Sequence, residues 1–451
     1  MLFPLVEPER SWSFSHARGW ITKAQPTWES RKWLRIHTFI VFVFFWCLPA
    51  HANTVTAASC SLSDVQTAVN SSANGGTVLV PTATSCPGGV SWGGGTLNIS
   101  NAHGITLNGQ GMTETGSSHI SFVANATSTT RVTGFTFIGI WACCGNWAIR
   151  ADGSTSTTPF RIDHNTITGS PGTGSQTLVE FDDNAPGVFD HNTLSAPDNS
   201  EIIHNFGMGS SSNAGWQDDI VPGGSNMVFI ETNTISNNTS SSNFNGCSAV
   251  QSYYGARTVI RYNTIYFCQV DQHGTAGNIG ARWWEIYQNT FQLPSGGGNQ
   301  CCYTQLRDGS GVVFSNHKTG GTNTGGGAIQ ICAAECGTAL SPWPVAWQVG
   351  SGINGYTNGH NSCANGTLNS APAWAWGNDS SMPVSGDGTN VQLNRDFFVS
   401  ASQPASMNWQ EQSGDTCSTT YTYTPYTYPH PLTGTTSSGP APPLGLTVSV
   451  Q

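Results

Sequence analysis

Charged side chains are scarce in this chain. Asp, Glu, Lys and Arg together make up 9% of the 451 residues, and 25 acidic residues face 15 basic ones, for a formal net charge of −10. A protein that binds nucleic acid needs a surplus of Lys and Arg to neutralise phosphates, so we do not expect nucleic acid as a partner. Intrinsic disorder is excluded as well, because 16 Trp and 20 Phe supply enough apolar surface for one long core.

Long apolar runs are also lacking, with one exception near the start. Residues 39–48 are apolar, follow a basic stretch at 31–35 and precede Ala50-His51-Ala52, a small-x-small cleavage motif. This order is typical of a secretory signal peptide, and the apolar run is too short to span a bilayer comfortably. We therefore predict a leader and signal peptide at residues 1–52, a secreted or cell-surface location, and no membrane contact after cleavage.

Cysteine pairs with the spacing of a zinc site are lacking too. Twelve of the 13 cysteines lie after the leader, and the vicinal pairs at 143–144 and 301–302 are not the separated Cys-x-x-Cys pairs that zinc sites use. An even number of cysteines in an exported chain favours disulfides. Cys60 and Cys86 bracket the N-terminal region, and we predict that they form one of these bonds.

The chain does contain a recurring phrase, in which an apolar strand is followed by Asn-Thr and another apolar residue. Six copies occur between residues 160 and 318, the last of them degenerate, and their asparagines are 27, 41, 30, 26 and 27 residues apart. These asparagines are Asn165, Asn192, Asn233, Asn263, Asn289 and Asn316. A fixed period of this size predicts a solenoid whose stacked units bury a continuous core.

The composition of the repeat favours strands over helices. Each unit is rich in Ile, Val, Phe, Thr and Tyr, and no unit has a run of period 3.6 long enough for a helix. Counted from each asparagine, positions −3 and +2 are apolar in nearly every copy and are predicted to face inward, so position −2 faces outward. The asparagine is predicted to take a left-handed turn conformation and to hydrogen-bond to the next rung. His164 and His191, at position −1, are predicted to be turn or core histidines.

This pattern resembles the right-handed parallel β-helix of the pectate-lyase-like superfamily. The resemblance covers residues 60 to about 337, and the sequence at 104–111 looks like the opening turn of many members. It implies an all-β fold, namely a single-stranded right-handed parallel β-helix with an N-terminal capping helix and an irregular C-terminal layer. A capping box at Ser63 and Gln66 predicts the capping helix at 63–70.

Four segments are predicted along the chain. Residues 1–52 form the leader, 53–337 the β-helix, 338–432 a C-terminal layer of strands and irregular structure, and 433–451 a tail rich in Pro, Ser and Thr. The layer begins where the Asn-Thr phrase is lost. Its Trp and Tyr residues are expected to pack against the last rungs, with a sugar-binding platform as the alternative.

One outward column, position −2, carries acidic side chains. Asp163, Asp190, Glu231 and Arg261 occupy four successive rungs there. Because neighbouring strands lie about 4.8 Å apart, three carboxylates in a row repel one another unless a cation or a base lies among them. The resemblance implies calcium, which acidic residues on adjacent rungs hold in pectate lyases. We predict a Ca²⁺ site at the three carboxylates, with a solvated acidic face as the alternative, and substrate binding by Arg261.

A second, mixed column lies on the strand before each Asn-Thr phrase. It combines carboxylate, imidazole, phenol and guanidinium groups, which acid–base chemistry on a sugar requires, and the longest insertions lie beside it. The predicted catalytic residues are Arg307, Arg282, His273, Asp271, Asp183, His204 and Tyr254. The other predicted substrate-binding residues are Tyr253, Gln251 and Gln305.

Few side chains could serve as the base of an elimination. β-Elimination from a uronate requires neutralisation of the carboxylate and removal of the adjacent C5 proton, and β-helix lyases often assign the second role to Arg or Lys. The basic residues of the repeat region that qualify are Arg261, Arg282, Arg307 and Lys318. Arg282 and Arg307 flank the mixed column and are the predicted choice. Ion pairs with Glu285 or Asp308 are the structural alternative.

Three functions remain open, and polysaccharide is the expected partner in all of them. A polysaccharide lyase acting on an acidic, uronate-containing glycan agrees with export, the acidic column and the arginines, and it is the leading prediction. A glycoside hydrolase of the polygalacturonase type is the second, because Asp182-Asp183 and Gln272-His273-Gly274 faintly resemble that family's Asp-Asp and Gly-His-Gly motifs, although its Arg-Ile-Lys phrase is absent. The third is a non-catalytic adhesin or surface scaffold that binds glycan. The fold alone does not choose among them.

Overall fold

The computed structural model describes the chain from residue 53 to residue 434, with gaps. The described residues are 53–100, 104–116, 118–124, 127–140, 147–153, 158–171, 176–207, 216, 218–237, 247–274, 280–294, 302–321, 328–332, 349–350, 371–386, 391–409, 411–412, 415 and 419–434. The predicted leader at 1–52 and almost all of the predicted tail at 433–451 lie outside them.

Three parallel sheets surround one hydrophobic core, so the chain forms a parallel β-solenoid of about nine turns. This confirms the predicted all-β fold class. Sheet 1 has 12 strands: Thr54–Thr56, Thr77–Leu79, Thr106–Asn108, Arg131–Thr133, Phe160–Asp163, Gly187–Asp190, Val228–Glu231, Arg257–Arg261, Trp283–Tyr287, Ser310–Phe314, Ala373–Trp376 and Phe397–Ser400. Sheet 2 has eight: Thr113–Thr115, Thr136–Ile140, Thr166–Gly169, Thr193–Ala196, Thr234–Asn237, Thr264–Tyr266, Thr290–Leu293 and His317–Gly320. Sheet 3 has ten: Thr96–Ile99, His119–Val123, Ile149–Asp152, Val179–Asp182, Glu201–Phe206, Ser248–Tyr253, Gln269–Gln272, Thr304–Leu306, Ile329–Ile331 and Val384–Gly386.

The predicted N-terminal helix, α1, spans Leu62–Ser71 and contacts the first strands of sheets 1 and 3. Its N-cap is Ser61, whose side chain accepts a hydrogen bond from the backbone N–H of Asp64. The predicted cap, Ser63, is instead the second residue of the helix. Ser61 caps the helix two residues before Ser63, and Asp64 supplies the acidic residue of the first turn. The buried face of α1 consists of Val65, Ala68 and Val69.

The left-handed conformation belongs to the residue before each asparagine, which corrects the prediction for the asparagine itself. The six residues at position −1 have φ between 51° and 59°: His164, His191, Thr232, Tyr262, Gln288 and Ser315. His164 and His191 are exposed and stack on each other with ring centroids 5.1 Å apart, so they are turn residues and do not enter the core. The turn between sheets 1 and 2 directs position −1 outward and frees the asparagine to face inward.

The inward-facing asparagines form a continuous hydrogen-bonded ladder. Asn192 Nδ2 donates to Oδ1 of Asn233 at 3.1 Å, and the backbone N–H of Asn192 donates to the same oxygen at 2.9 Å. Asn192 Nδ2 also donates to the carbonyl oxygen of Ile162 on the preceding rung, at 3.0 Å. The same rung-to-rung bonds link Asn165, Asn192, Asn233, Asn263, Asn289, Asn316 and Asn378. The predicted stacking is therefore confirmed, and it satisfies the polar groups that the turn would otherwise bury unpaired.

The sheets continue beyond residue 337, so the predicted end of the β-helix is too early. Strand Ala373–Trp376 pairs in parallel with Ser310–Phe314, and Phe397–Ser400 pairs with Ala373–Trp376. The ladder continues as well, at Asn378. Asp379 stands there in place of the threonine, so the Asn-Thr phrase is not seen in the sequence. The ladder needs only the asparagine, because the threonine position lies on the outer surface of sheet 2.

The remainder of the C-terminal region covers the outer face of sheet 1. A two-stranded antiparallel sheet, Met407–Asn408 with Thr420–Tyr421, and a 3₁₀ helix at Pro431–Thr433 belong to this layer. A second hydrophobic cluster joins it to the sheet and includes Phe229, Trp283, Phe314, Trp376, Trp409 and Tyr423. These aromatic side chains pack against the rungs.

Two disulfides have both of their cysteines among the described residues. Cys60–Cys86 confirms the predicted bond, and Cys247–Cys268 joins two successive turns. Disulfides of this kind are typical of proteins in oxidising compartments. Within the described ranges, no helix reaches the length and hydropathy that a membrane span requires.

We expect Asn233→Ala to lower the free energy of unfolding by at least about 2 kcal/mol, because it leaves several buried backbone and amide groups of the neighbouring rungs without partners. The control is Thr234→Ala, an exposed position in the next strand, which should change it by less than about 0.5 kcal/mol. Urea unfolding followed by circular dichroism measures both. Equal effects of the two substitutions would show that the ladder does not stabilise the fold.

Candidate functional site

Two outward columns run along sheet 3, and together they define what we call the sheet-3 face. The strand register places Arg150, Glu180, His204, Gln251, Asp271 and Gln305 on successive rungs of the first column. The second column contains Asp152, Asp182, Phe206, Tyr253, His273 and Arg307. Side chains between these columns face the core, because successive residues of a strand alternate.

Nine of the residues predicted from sequence lie on this face or at its edge. They are Asp183, His204, Gln251, Tyr253, Tyr254, Asp271, His273, Gln305 and Arg307. Asp183 and Tyr254 follow the last residue of their strands, at φ of 53° and 52°, and occupy the turn that leaves the sheet. The residues of the predicted mixed column therefore lie side by side on one face of the folded chain.

Asp271 is the centre of the most tightly connected group on the face, which we call the Asp271 cluster: Gln251, Tyr253, Asp271, His273 and Arg307. Arg307 Nε donates to Asp271 Oδ1 at 3.1 Å, and the same guanidinium contacts Oδ2 and the Nδ1 of His273. Gln251 Nε2 donates to Asp271 Oδ2 at 3.0 Å, and His273 Nδ1 lies 3.2 Å from that oxygen. The carboxylate thus orients an amide, an imidazole and a guanidinium on three consecutive strands.

The charge of Asp271 is stabilised although the residue is only 1% exposed. Burial on its own would raise the pKa, but the charge of Arg307 and the hydrogen bonds from His273 and Arg307 outweigh it and lower the pKa of Asp271 to about 2. Asp271 is therefore ionised at neutral pH. In the tautomer that carries its proton on Nδ1, His273 donates to this carboxylate, and the Nε2 lone pair of the imidazole is then available to take a proton.

Aromatic rings form a strip beside this cluster. The Tyr253 ring centroid lies 4.4 Å from that of His273, and Phe206 stacks on Tyr253 at 5.4 Å and on Tyr254 at 5.7 Å. All four side chains are partly exposed. Burial, together with the nearby charges of Glu201 and Asp271, raises the pKa of Tyr253, so its phenol keeps its proton and can act as a donor.

A second group of charges lies on the earlier rungs, and we call it the Arg150 cluster: Arg150, Asp152, Glu180 and Asp182. Arg150 Nε donates to Asp182 Oδ2 at 2.5 Å, and the guanidinium lies 3.4 Å from Glu180 and 3.7 Å from Asp152. Burial and the charge of Asp182 raise the pKa of Glu180 to about 8, and burial raises the pKa of Asp182 as well. One proton is therefore held by this carboxylate pair at neutral pH.

Sequence reasoning gave the Arg150 cluster no role. Among its members only Asp182 was named, in the Asp182-Asp183 pair that resembles the polygalacturonase motif, and Asp183 turns away at the strand end. The signal was present: Arg150 precedes Glu180 by 30 residues, close to the repeat length, and Asp182 lies two positions after Glu180 on the same face. Side chains alternate between the two faces of a strand, so the alternation that places position −2 on the outer face also places these residues on the outer face of sheet 3.

His204 lies between the two clusters. Its Nε2 is 2.5 Å from Glu201 Oε2, and its ring makes edge contacts with Phe206 and Tyr253. The face therefore changes along the solenoid from carboxylates around Arg150, through His204 and the aromatic strip, to His273 and Arg307.

Arg282 does not reach this face, which corrects its assignment to the mixed column. Its side chain is fully buried beneath the C-terminal layer, where it pairs with Glu411 at 2.5 Å and donates to the Trp216 carbonyl oxygen at 2.8 Å. Arg282 directly precedes the sheet-1 strand Trp283–Tyr287. It therefore lies after the turn that leaves sheet 3, on the side of the solenoid that the C-terminal layer covers.

The predicted acidic column lies on sheet 1 and faces outward from the solenoid, as predicted, but the C-terminal layer covers it. Asp163, Asp190, Glu231 and Arg261 are each at most 1% exposed. Arg261 donates to Glu231 at 2.7 Å, and also to Tyr287 and to the carbonyl oxygens of Tyr426 and Thr427. A substrate-binding role for Arg261 is therefore not supported by its surroundings.

The carboxylates of this column are paired with arginines. Arg131 binds Asp163 through two hydrogen bonds of 2.5 and 2.6 Å, and Arg161 binds Asp190 through two of 2.8 and 3.0 Å. The charge that a calcium ion would neutralise is thus already neutralised, and the residues present do not suit that ion well. Calcium at this column stays a prediction that the described contacts do not favour.

Arg307→Gln is expected to lower the free energy of unfolding by about 3 kcal/mol, because it leaves the buried carboxylate of Asp271 without its counter-charge. The double variant Asp271→Asn/Arg307→Gln should recover part of that loss, since no unpaired charge remains. Urea unfolding of the two single variants and the double variant gives the coupling energy. Additive effects would mean that the pair is not coupled in solution.

Acidification is expected to weaken the attachment of the C-terminal layer at His430. Burial and the charges of Arg261 and Arg161 lower the pKa of His430 to about 4, from an ordinary value near 6.5. Between these values the unfolded state binds a proton that the folded state does not, so stability falls as the pH drops from about 6.5 to about 4, by up to about 1.4 kcal/mol per unit. His430→Asn keeps a side-chain acceptor for the Leu432 N–H without titrating, and the wild-type chain should lose stability relative to it over that interval. A constant difference between the two proteins would contradict the assignment.

Comparisons with protein-family models, with curated protein sequences and with solved structures find no match to this chain.

Proposed function

We propose that this chain is a secreted polysaccharide lyase that cleaves a uronate-containing glycan by β-elimination at the sheet-3 face. The observation that carries the proposal is the Asp271 cluster, in which an imidazole, a phenol, an amide and a guanidinium meet around one buried carboxylate. A parallel β-solenoid is compatible with carbohydrate-active enzymes, and the two disulfides agree with export.

β-Elimination requires three functions, and the cluster offers a residue for each. Arg307 faces the uronate carboxylate and neutralises it, which acidifies the C5 proton. His273 takes that proton through Nε2, and the electron pair of the C5–H bond forms the C4=C5 double bond as the C4–O bond breaks. Tyr253 donates its proton to the departing oxygen and regains one from solvent or from His273. Gln251 Oε1 is a buried acceptor that has no hydrogen-bond partner in the described part of the chain.

This assignment moves the base from arginine to histidine. Arg307 is paired with Asp271, and a guanidinium in such a pair keeps its proton, so it suits charge neutralisation better than proton abstraction. His273 lies beside it, and histidine is the side chain that most often acts as a general base. The prediction that Arg307 acts in catalysis is retained with a different role.

The test is absorbance at about 235 nm, where the unsaturated product absorbs, during incubation of the mature chain with a panel of uronate polymers. We expect His273→Ala to lower kcat by about 10²- to 10⁴-fold with little change in KM, and Tyr253→Phe to lower kcat by a similar factor. Lys318→Ala, in sheet 2, is the control and should leave the rate unchanged.

Activity should survive a calcium chelator, because each carboxylate of the sheet-1 column is bound to an arginine. Loss of activity on chelation would restore the calcium prediction. Full turnover in both His273→Ala and Tyr253→Phe would overturn the assignment of the site.

A hydrolase is the second candidate, and the Arg150 cluster is the observation that favours it. Glu180, with its pKa raised to about 8, is protonated at neutral pH, and a protonated carboxylic acid beside a carboxylate is the arrangement that glycoside hydrolysis uses. A hydrolase would release reducing ends with no increase in absorbance at about 235 nm, and Glu180→Gln would abolish that release. If neither product forms and glycan still binds, the chain is an adhesin or scaffold.

A further inference from the structure

The sheet-3 face is electrostatically uneven along the solenoid axis. At one end the charges of Arg307 and Asp271 balance each other beside His273, and at the other Arg150 faces three carboxylates, Asp152, Glu180 and Asp182. Even with one proton shared between Glu180 and Asp182, the Arg150 cluster retains a net negative charge. Glu180 and Asp271 are three strands apart in the same column, which corresponds to roughly 14 Å.

A glycan that lies along this face meets both ends at once. A uronate at the Asp271 cluster meets a guanidinium and no net negative charge, because Arg307 and Asp271 balance each other, whereas a uronate placed over the Arg150 cluster would be repelled by the carboxylates. Carboxylates do accept hydrogen bonds from neutral sugar hydroxyls. The face therefore favours a negative sugar at one position and an uncharged sugar further along the chain.

The surface between the two ends suits an uncharged sugar ring. Phe206 and Tyr254 stack with ring planes 23° apart, next to Tyr253, and all three rings are partly exposed. Aromatic faces of this kind bind the apolar side of a pyranose and contribute no charge. Together with His204, they connect the Asp271 cluster to the Arg150 cluster, and no Arg or Lys of the described residues lies between the two clusters on this face.

We propose that the substrate is a heteropolymer in which uronates alternate with neutral sugars, and that the Arg150 cluster selects against homopolymers of uronate. This inference rests on the proposed lyase function, and it adds Glu180, Asp182 and Phe206 as specificity-determining residues. Cleavage takes place at the uronate bound by Arg307, with the neutral sugars over the aromatic strip and the carboxylates.

The experiment compares initial rates at about 235 nm on two alternating polymers, hyaluronan and the rhamnogalacturonan backbone, and on two homopolymers, polygalacturonate and alginate. For the wild-type chain we expect kcat/KM to be at least about tenfold higher on one of the alternating polymers than on either homopolymer. Glu180→Gln/Asp182→Asn should reduce that ratio about fivefold by raising the rate on homopolymers, and about 0.5 M NaCl should reduce it in the wild type by screening the repulsion. Asp218→Asn removes a carboxylate that pairs with Arg257 of sheet 1 and should leave the ratio unchanged.

Binding distinguishes failure of this inference from failure of the proposed function. Affinity electrophoresis of His273→Ala with the same four polymers should show the same preference, and Phe206→Ala should weaken retention by the alternating polymers about tenfold. Elimination with equal rates on all polymers, and a ratio that the double variant does not alter, would overturn the inference and leave the lyase intact. No elimination on any polymer, with the binding preference retained, would overturn the lyase and support the selectivity. Equal binding of all four polymers would overturn the inference whatever the reaction.

Discussion

The asparagine ladder is the interaction on which the rest of the structure depends. Each asparagine from Asn165 to Asn316 donates to the next one, and each from Asn192 onward receives the backbone N–H of the one before, so these turns of the solenoid are fixed in register to their neighbours. The insertions between repeats differ in length, and the ladder keeps them from shifting the strands. Register in a sheet decides which side chains share a face, because a slip of one residue exchanges the two faces.

That register brings the Asp271 cluster together. Gln251, His273 and Arg307 are separated by 22 and 34 residues in the chain, yet they lie in or directly after three consecutive strands and contact one carboxylate. The same stacking on sheet 1 gives a different result, because the C-terminal layer covers that face. Asp190 and Glu231 there pair with Arg161 and Arg261 and form part of the attachment of the layer, whereas Tyr253 and His273 on the sheet-3 face remain partly exposed.

Electrostatic context gives two similar carboxylates opposite properties. Asp271 is almost completely buried, but Arg307 and His273 stabilise its charge, and it stays ionised. Glu180 has Arg150 beside it, but it also lies next to a second carboxylate, Asp182. Burial and the repulsion between the two carboxylates together favour the protonated form of Glu180. One face of one sheet thereby holds an orienting anion and a proton-sharing acid pair, about three strands apart.

The sequence alone determined the repeat, the all-β solenoid, the stacking asparagines and the mixed column, because each follows from periodicity, which is a local property of the chain. It identified nine residues of the sheet-3 face by the same argument. The tertiary structure decided what periodicity cannot encode. A turn between sheets carries Arg282 away from the column it adjoins in sequence, the left-handed position falls on His164 and not on Asn165, and a segment 165 residues distant covers Arg261. Burial and ion pairing arise from contacts between distant parts of the chain, so only the folded arrangement reveals which outward column reaches solvent and which is enclosed.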